Sequence, residues 1–240
     1  MANQNMPSQF IFDNLKIQIN LIENAWKSGV KRLVFLGSSC IYPKLSKQPI
    51  KEEYLLSGKL EETNESYAIA KIAGIKMCQA LKKQYGFDAI SIMPTNLYGP
   101  GDNYQKENSH VIPSLIRKFH FAKINNFESV TCWGTGEPLR EFLHVDDLGS
   151  ATVYLLENWL PNNLETQFIN VGSGKDIRIK DLAEKISEIF KFKGKIIWDS
   201  SKPDGTYKKQ LDISKINNLG WNSEISFDKG LRDTIDNYIK

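Results

Sequence analysis

Two short apolar runs, "KRLVFLG" (31–37) and "DAISIMP" (88–94), constrain this chain more than any other feature. Neither alternates apolar with polar residues, so both read as strands covered on both faces, the kind found in parallel sheets. Each follows a segment of helical period. Between Phe10 and Trp26 the residues Ile11, Leu15, Ile19, Ile22 and Trp26 recur at helix spacing, opposite Asp13, Lys16, Asn20 and Glu23, and Gly29 closes the segment. "SYAIAKIAGIKMCQALKKQYG" is a second helix that ends at Gly86. Parallel neighbours need a crossover rather than a hairpin. The order helix, strand, helix, strand therefore predicts an α/β fold with a doubly wound parallel sheet.

Beyond residue 100 the pattern changes to helices mixed with short strands, which predicts a smaller second lobe. "SHVIPSLIRKFHFAK" reads as a helix provided Pro113 lies in its first turn. "SVTCW" and "QFINV" read as strands, and Asp146 is expected to cap the helix "DDLGSATVYLLEN". "IKDLAEKISEIFK" and "FDKGLRDTIDNYI" are further amphipathic helices. The charged stretch from Lys44 to Asn64 is too long for a tight turn.

Composition removes several function classes. The 240 residues carry a formal charge of only +3, with the basic residues scattered, so no nucleic-acid partner is expected. No apolar run approaches the roughly 20 residues of a membrane span, and the N-terminus lacks the pattern of a signal peptide. Cys40, Cys78 and Cys132 form no CxxC pair and no metal-ligand spacing with His110, His120 or His144. Free thiols point to a reducing compartment, and the expected location is the cytoplasm.

Chemistry concentrates at "GSSCIYP" (37–43), where the first strand should leave the sheet. Cys40 there is either a small buried thiol or a reactive one. In an extended segment, residues i and i+2 share a side, which would set Ser38 and Cys40 together and turn Ser39 away. Tyr67 and Lys71 lie one helical turn apart. An ammonium beside a phenol favours phenolate, so Lys71 is expected to lower the pKa of Tyr67. Ligands of α/β sheets lie at the carboxyl ends of the strands. Ser38, Tyr67 and Lys71 would then form a Ser–Tyr–Lys set that moves a proton at an alcohol or ketone oxygen.

Together "GSSCIYPK", "YAIAKIAG", "PTNLYGPGDN", "SHVIP", "WGTGEPLREFLHVDD" and "KPDGT" resemble the extended short-chain dehydrogenase/reductase family nearly end to end. Within it they resemble the branch that inverts C3 and C5 of GDP-4-keto-6-deoxy-D-mannose and then reduces its C4 ketone. The resemblance implies a Rossmann-type NADP-binding part over residues 1–100 and a mainly substrate-binding lobe over 101–240, with segments near 140–175 returning to the first part. It implies NADP(H) as cofactor, a GDP-sugar as substrate and a homodimer formed through helices.

The resemblance also assigns roles. Ser38 and Tyr67 would hold the C4 oxygen, with Tyr67 as proton donor and Lys71 holding the nicotinamide ribose. Pro94, Thr95, Asn96 and Leu97 would line the nicotinamide side, and His110 would contribute there too. Cys40 and His110 would be the epimerisation pair. Lys118, Trp133, Arg140 and Asp204 would contact the GDP-sugar. Lys118 departs mildly from the family's usual arginine and offers a point charge in place of a fork. The arrangement is chemically coherent, because the C4 ketone acidifies its neighbours and inversion needs an acid and a base on opposite faces. His144 reads as structural and His120 as a helix-face residue, while Tyr98 and Asn103 fit either packing or function.

One expected part is absent from the sequence. No strand–GxGxxG–helix fingerprint occurs, and "GSGK" (172–175) has the wrong spacing. "MANQNMPSQF" resembles an internal segment of the family, so about 65–70 residues holding the first βαβ units are expected to be missing. Weak NADPH binding and marginal stability are the expected consequences. Two other readings stay open: a catalytically impaired remnant or GDP-sugar-binding module, and a related NAD-dependent nucleotide-sugar epimerase or dehydratase.

Overall fold

The computed structural model describes residues 5–106, 109–161 and 167–240. Helix α1 (Pro7–Lys27) leads to β1 (Arg32–Leu36), and α2 (Glu65–Tyr85) leads to β2 (Asp88–Pro94). A short β3 (Asn96–Tyr98) is followed by α3 (Val111–Ile124), β4 (Ser129–Trp133), β5 (Leu139–His144) and α4 (Val145–Asn158). The chain continues through β6 (Phe168–Val171), β7 (Asp176–Arg178), α5 (Ile179–Phe190), β8 (Lys195–Asp199) and β9 (Lys208–Lys209). It closes with α6 (Ser214–Asn218) and α7 (Phe227–Ile239). No described helix is long and apolar enough to cross a membrane.

The first sheet has the order β1-β2-β6, all parallel, with Phe35 opposite Ser91 and Ile92 opposite Ile169. A second sheet joins β3, β5, β7 and β9, and β4 pairs with β8. Helix α2 packs on β1 and β2, where Ile72, Ile75, Cys78, Phe35 and Met93 form one apolar cluster. It comes this close because of Gly74, where a Cβ would collide with the Phe35 ring. A second cluster unites α4 with β2 and β6, and a third unites α3, α5 and α7 with β4 and β5.

Three expectations need correction. The central strand β2 is buried along most of its length, but β1 is not fully covered, and Leu36 is exposed. Among the described residues β1 pairs only with β2, whereas β2 has a neighbour on each side. Helix α1 buries Gln18 and Ile22 and exposes Ile19. The Gln18 amide donates to the Ala70 carbonyl at 2.5 Å, so a polar residue occupies the α1–α2 contact. Finally, His144 caps α4, its Nδ1 accepting from the Asp146 amide at 3.3 Å, so Asp146 lies in the first turn instead. Pro113 does sit in the first turn of α3, where its missing N–H breaks no helical bond.

The polar stretch after β1 is tied down rather than loose. Asn170 of β6, fully buried, accepts from the Tyr42 hydroxyl at 2.6 Å and donates to the Ile50 and Asp212 carbonyls. Residues 50 and 211 bridge in parallel, with the Ile50 amide on the Gln210 carbonyl at 2.8 Å. Segments remote in sequence are thereby held against the end of the first sheet.

Candidate active site

The site begins where β1 ends. The Gly37 amide still bonds the Ile92 carbonyl at 2.9 Å, and a Cβ at Gly37 would collide with the Met93 sulfur. Ser38 is extended, but residues 39–41 wind into a 3₁₀ turn. The expected i, i+2 alternation therefore does not hold past Ser38. The turn itself brings the two functional groups together, because the Ser38 Oγ accepts from the Cys40 amide at 3.2 Å. Ser39 is buried, in keeping with a structural hydroxyl.

Helix α2 supplies the facing side. Tyr67 lies in its first turn, and the Phe10 ring of α1 packs edge-on at 6.5 Å between centroids. Lys71 Nζ donates to the Leu36 carbonyl at 3.0 Å and sits 5.7 Å from the centre of the Tyr67 ring. Lysine does not lower the phenol here. Burial raises the Tyr67 pKa, the neighbouring Cys40 raises it further, and only the Ser38 hydroxyl pulls it down. Burial lowers the pKa of Lys71 itself. The consequence is a phenol that stays protonated through the neutral range, as a proton donor requires.

Cys40 behaves in the opposite way. Burial pushes its thiol up, but the Lys209 ammonium, Ser38 and Asn64 outweigh that and leave its pKa below the ordinary value. Cys78 and Cys132 are raised by burial, Cys78 to about 12. Of the three thiols, Cys40 alone is shifted toward thiolate.

The dinucleotide side lies at the end of β2. Pro94 is buried, the Thr95 hydroxyl and the Asn96 amide both donate to the Glu141 carbonyl, and Leu97 packs against the cluster beneath α4. Lys71 spends one of its three donors on Leu36 and is only partly covered, so a ribose hydroxyl can take another. These residues fit the nicotinamide–ribose end of a dinucleotide. The Gly172–Lys175 turn does not fit the phosphates, since the Gly174 amide donates to the Glu141 carboxylate at 2.7 Å and the Lys175 amide to Ser173.

The residues expected at the nucleotide end form a second group. Arg140 donates to the Leu139 and Asp204 carbonyls, and the Asp204 carboxylate accepts from the Thr135 amide and hydroxyl at 2.7 and 2.8 Å. Lys118 Nζ lies 5.5 Å from the Trp133 ring and donates to the Thr131 carbonyl. Trp133 is 54 % exposed, with the Lys118 and Lys202 ammonium groups 5.5 and 5.9 Å from its ring. His110 stands exposed at the N-cap of α3. Among the described residues, no hydrogen bond or ring contact joins it to Cys40.

Two residues left open by the sequence now separate. Tyr98 is a core residue packed on Phe142, His144 and Phe227. Asn103 accepts from the Gln105 amide and shapes its own loop. His120 meets the Phe190 and Tyr238 rings, so it does more than lie on a helix face. Lys209, Thr135 and Glu141 were missed by sequence reasoning. "KPDGTYKKQLD" presents two adjacent lysines, and no spacing rule says which one reaches Cys40.

Residues 1–172 match the NAD dependent epimerase/dehydratase family. The chain is 56 % identical to GDP-L-fucose synthase 1 of Arabidopsis thaliana over 239 residues, all of this chain and 73 % of that protein. It is 50 % identical to GDP-L-fucose synthase of Escherichia coli, covering all of this chain and 76 % of that one. Among solved structures it resembles a GDP-l-fucose synthetase from Naegleria fowleri bound to NADP, with a TM-score of 0.90, 28 % identity, and 97 % and 73 % of the two chains covered. A GDP-6-OMe-4-keto-L-xylo-heptose reductase from C. jejuni superposes with a TM-score of 0.93 at 36 % identity, covering 100 % of this chain and 79 % of that one.

Proposed function

The chain belongs to the NAD dependent epimerase/dehydratase family, in the branch of the GDP-L-fucose synthases, and from that premise we propose that Ser38, Cys40, Tyr67 and Lys71 carry the chemistry of GDP-L-fucose formation. The reaction converts GDP-4-keto-6-deoxy-D-mannose by inversion at C3 and C5 followed by reduction at C4, with NADPH supplying the hydride. Ser38 and Tyr67 hold the C4 oxygen, first as an enolate and then as the alkoxide that Tyr67 protonates. Each such donor contributes roughly 3–4 kcal/mol to the transition state. Lys71 holds the ribose, and Pro94, Thr95, Asn96 and Leu97 form the wall behind the nicotinamide. Cys40 and His110 work the opposite faces of the sugar ring. Lys118, Trp133, Arg140 and Asp204 hold the GDP portion.

The observation that carries this reading is the thiol beside the Ser–Tyr set, with the Cys40 amide donating to the Ser38 hydroxyl and the Lys209 ammonium 3.5 Å from the sulfur. A simple 4-epimerase has no use for such a thiol, which is why the related NAD-dependent reading ranks second. The test is incubation of the chain with NADPH and the 4-keto sugar in D₂O. Deuterium at C3 and C5 is expected together with NADPH oxidation, the latter at high NADPH concentration, as weak NADPH binding requires. Oxidation without deuterium would remove the epimerase half, and neither signal would leave a GDP-sugar-binding module.

The same proposal divides the chain into a dinucleotide part, 1–100, and a substrate lobe, 101–240. The return of residues near 140–175 to the first part is supported by the pairing of β6 with β2. A homodimer through α1 and α2 is supported by the exposed side chains of Phe12, Ile17 and Leu21, and the free thiols support a cytoplasmic location.

A further inference from the structure

We infer that Lys209 is a positioning residue for Cys40, a fixed ammonium set against its sulfur so that the thiolate is favoured. The Lys209 Nζ lies 3.5 Å from the Cys40 sulfur, across 169 positions of sequence. This lysine is not a surface side chain that happens to reach inward. It sits on β9, in register with Arg140 of β5. Two residues on, the Leu211 amide donates to the Glu141 carboxylate at 2.7 Å, and the same carboxylate takes the Gly174 amide. Between the two, the Gln210 amide donates to the Gln48 side chain at 2.9 Å, and the Gln210 carbonyl accepts from Ile50. Glu141 is fully buried. A buried carboxylate is costly unless bonded in this way, and its bond to Leu211 fixes the backbone just beyond the lysine.

The groups facing the sulfur are few. Lys209 comes from β9, Tyr67 from α2, Asn64 from the turn before α2 and Ser38 from the thiol's own segment. Tyr67 stays neutral through the neutral range, which leaves Lys209 as the one full charge among them. A cation at this distance favours the thiolate over the thiol, and a partly covered setting screens the pair less than bulk water would. Burial drives the thiol up, as it does at Cys78 and Cys132, and at Cys40 the Lys209 ammonium leads the groups that oppose it.

This inference deepens the epimerase reading and rests on it for its biological meaning. With Cys40 favoured as thiolate, this inference adds to that reading that Cys40 takes the proton from a carbon beside the ketone, and the C–H electron pair moves to the ketone oxygen as an enolate. His110 then protonates the carbon from the other face, and both side chains exchange their protons with water to reset. The geometry, however, can be tested without substrate.

The experiment is alkylation of the full chain with iodoacetamide across a pH series, read by mass spectrometry of the peptide that contains Cys40. In the unaltered chain the half-point is expected below the ordinary thiol value of about 8.5. Lys209→Met should move it upward and slow modification near pH 7 about tenfold, a change of one unit, while Lys209→Arg should stay within about twofold of the unaltered chain, because it keeps the charge. A Lys209→Met profile that overlays the unaltered one would overturn the inference. Should that variant fail to fold, the unaltered chain decides, since a half-point at or above the ordinary value overturns it equally. A shifted profile in a chain that shows no exchange at C3 and C5 would sink the epimerase reading and leave the Lys209–Cys40 pairing standing.

Discussion

The two ends of the site are built differently. At the chemistry end, Ser38, Cys40, Tyr67 and Lys71 rest on β1 and α2, with bonds to the Leu36 carbonyl and the Cys40 amide and a covered phenol between them. At the end proposed to grip the nucleotide, Trp133 and Asp204 are exposed, and Arg140 and Asp204 meet across a loop through backbone carbonyls. The difference teaches how labour is divided. Proton transfer tolerates little misplacement, and in the proposed reading Ser38, Cys40, Tyr67 and Lys71 sit on packed elements, whereas His110 stands exposed at the N-cap of α3. A nucleotide is held by several contacts, each replaceable in part by its neighbours.

The largest test of this contrast is Tyr67→Phe. Loss of a positioned proton donor should lower the rate of NADPH oxidation by about a hundred- to ten-thousand-fold, with exchange at C3 and C5 much less affected and the melting temperature nearly unchanged. Retained reduction would remove Tyr67 from the donor role. At the other end, Arg140→Ala should act on KM, raising it roughly tenfold, or about 1.4 kcal/mol, with kcat within twofold. A fall in kcat with KM unchanged would show that the gripping end is as preorganised as the chemical one.

The rigid support of the chemistry end can be broken directly. Gly74→Ala sets a methyl group against the Phe35 ring between α2 and β1. Overpacking of this kind costs about 1–3 kcal/mol, read as a shifted midpoint in urea, and Tyr67 and Lys71 should move with the helix. An unchanged midpoint would mean that α2 is free to lift from the strand. The smallest effect concerns Cys78 beneath the same helix, whose pKa is pushed up to about 12 by burial. Because the folded value lies above the unfolded one of about 8.5, the folded chain holds this proton longer. Its contribution is complete below the unfolded value and declines as pH rises towards the folded one, at no more than about 1.4 kcal/mol per pH unit. Cys78→Ala should flatten that alkaline decline, and an identical slope would show that other groups carry it.

Much of the frame was legible beforehand. "DAISIMP", the α2 segment with its Gly86 stop, and "FDKGLRDTIDNYI" carry local patterns whose period or apolar run states the element directly. The placement of Ser38, Tyr67 and Lys71 near one another was readable for a related reason, since one strand exit and one helical turn set it. Other features misled. An apolar run such as "RLVFL" cannot state how many neighbours its strand has, and the spacing of Tyr67 and Lys71 says nothing of where the ammonium points.

What the sequence determined by itself was the succession of elements, because backbone geometry ties residue period to structure within a few positions. Only the tertiary structure decided the electrical state of the site. Cys40 meets Lys209 across 169 positions, and Glu141, Gly174 and Leu211 converge from three separate segments to hold that lysine in place. A charge acts through distance in space, and distance in space exists only once the chain has folded.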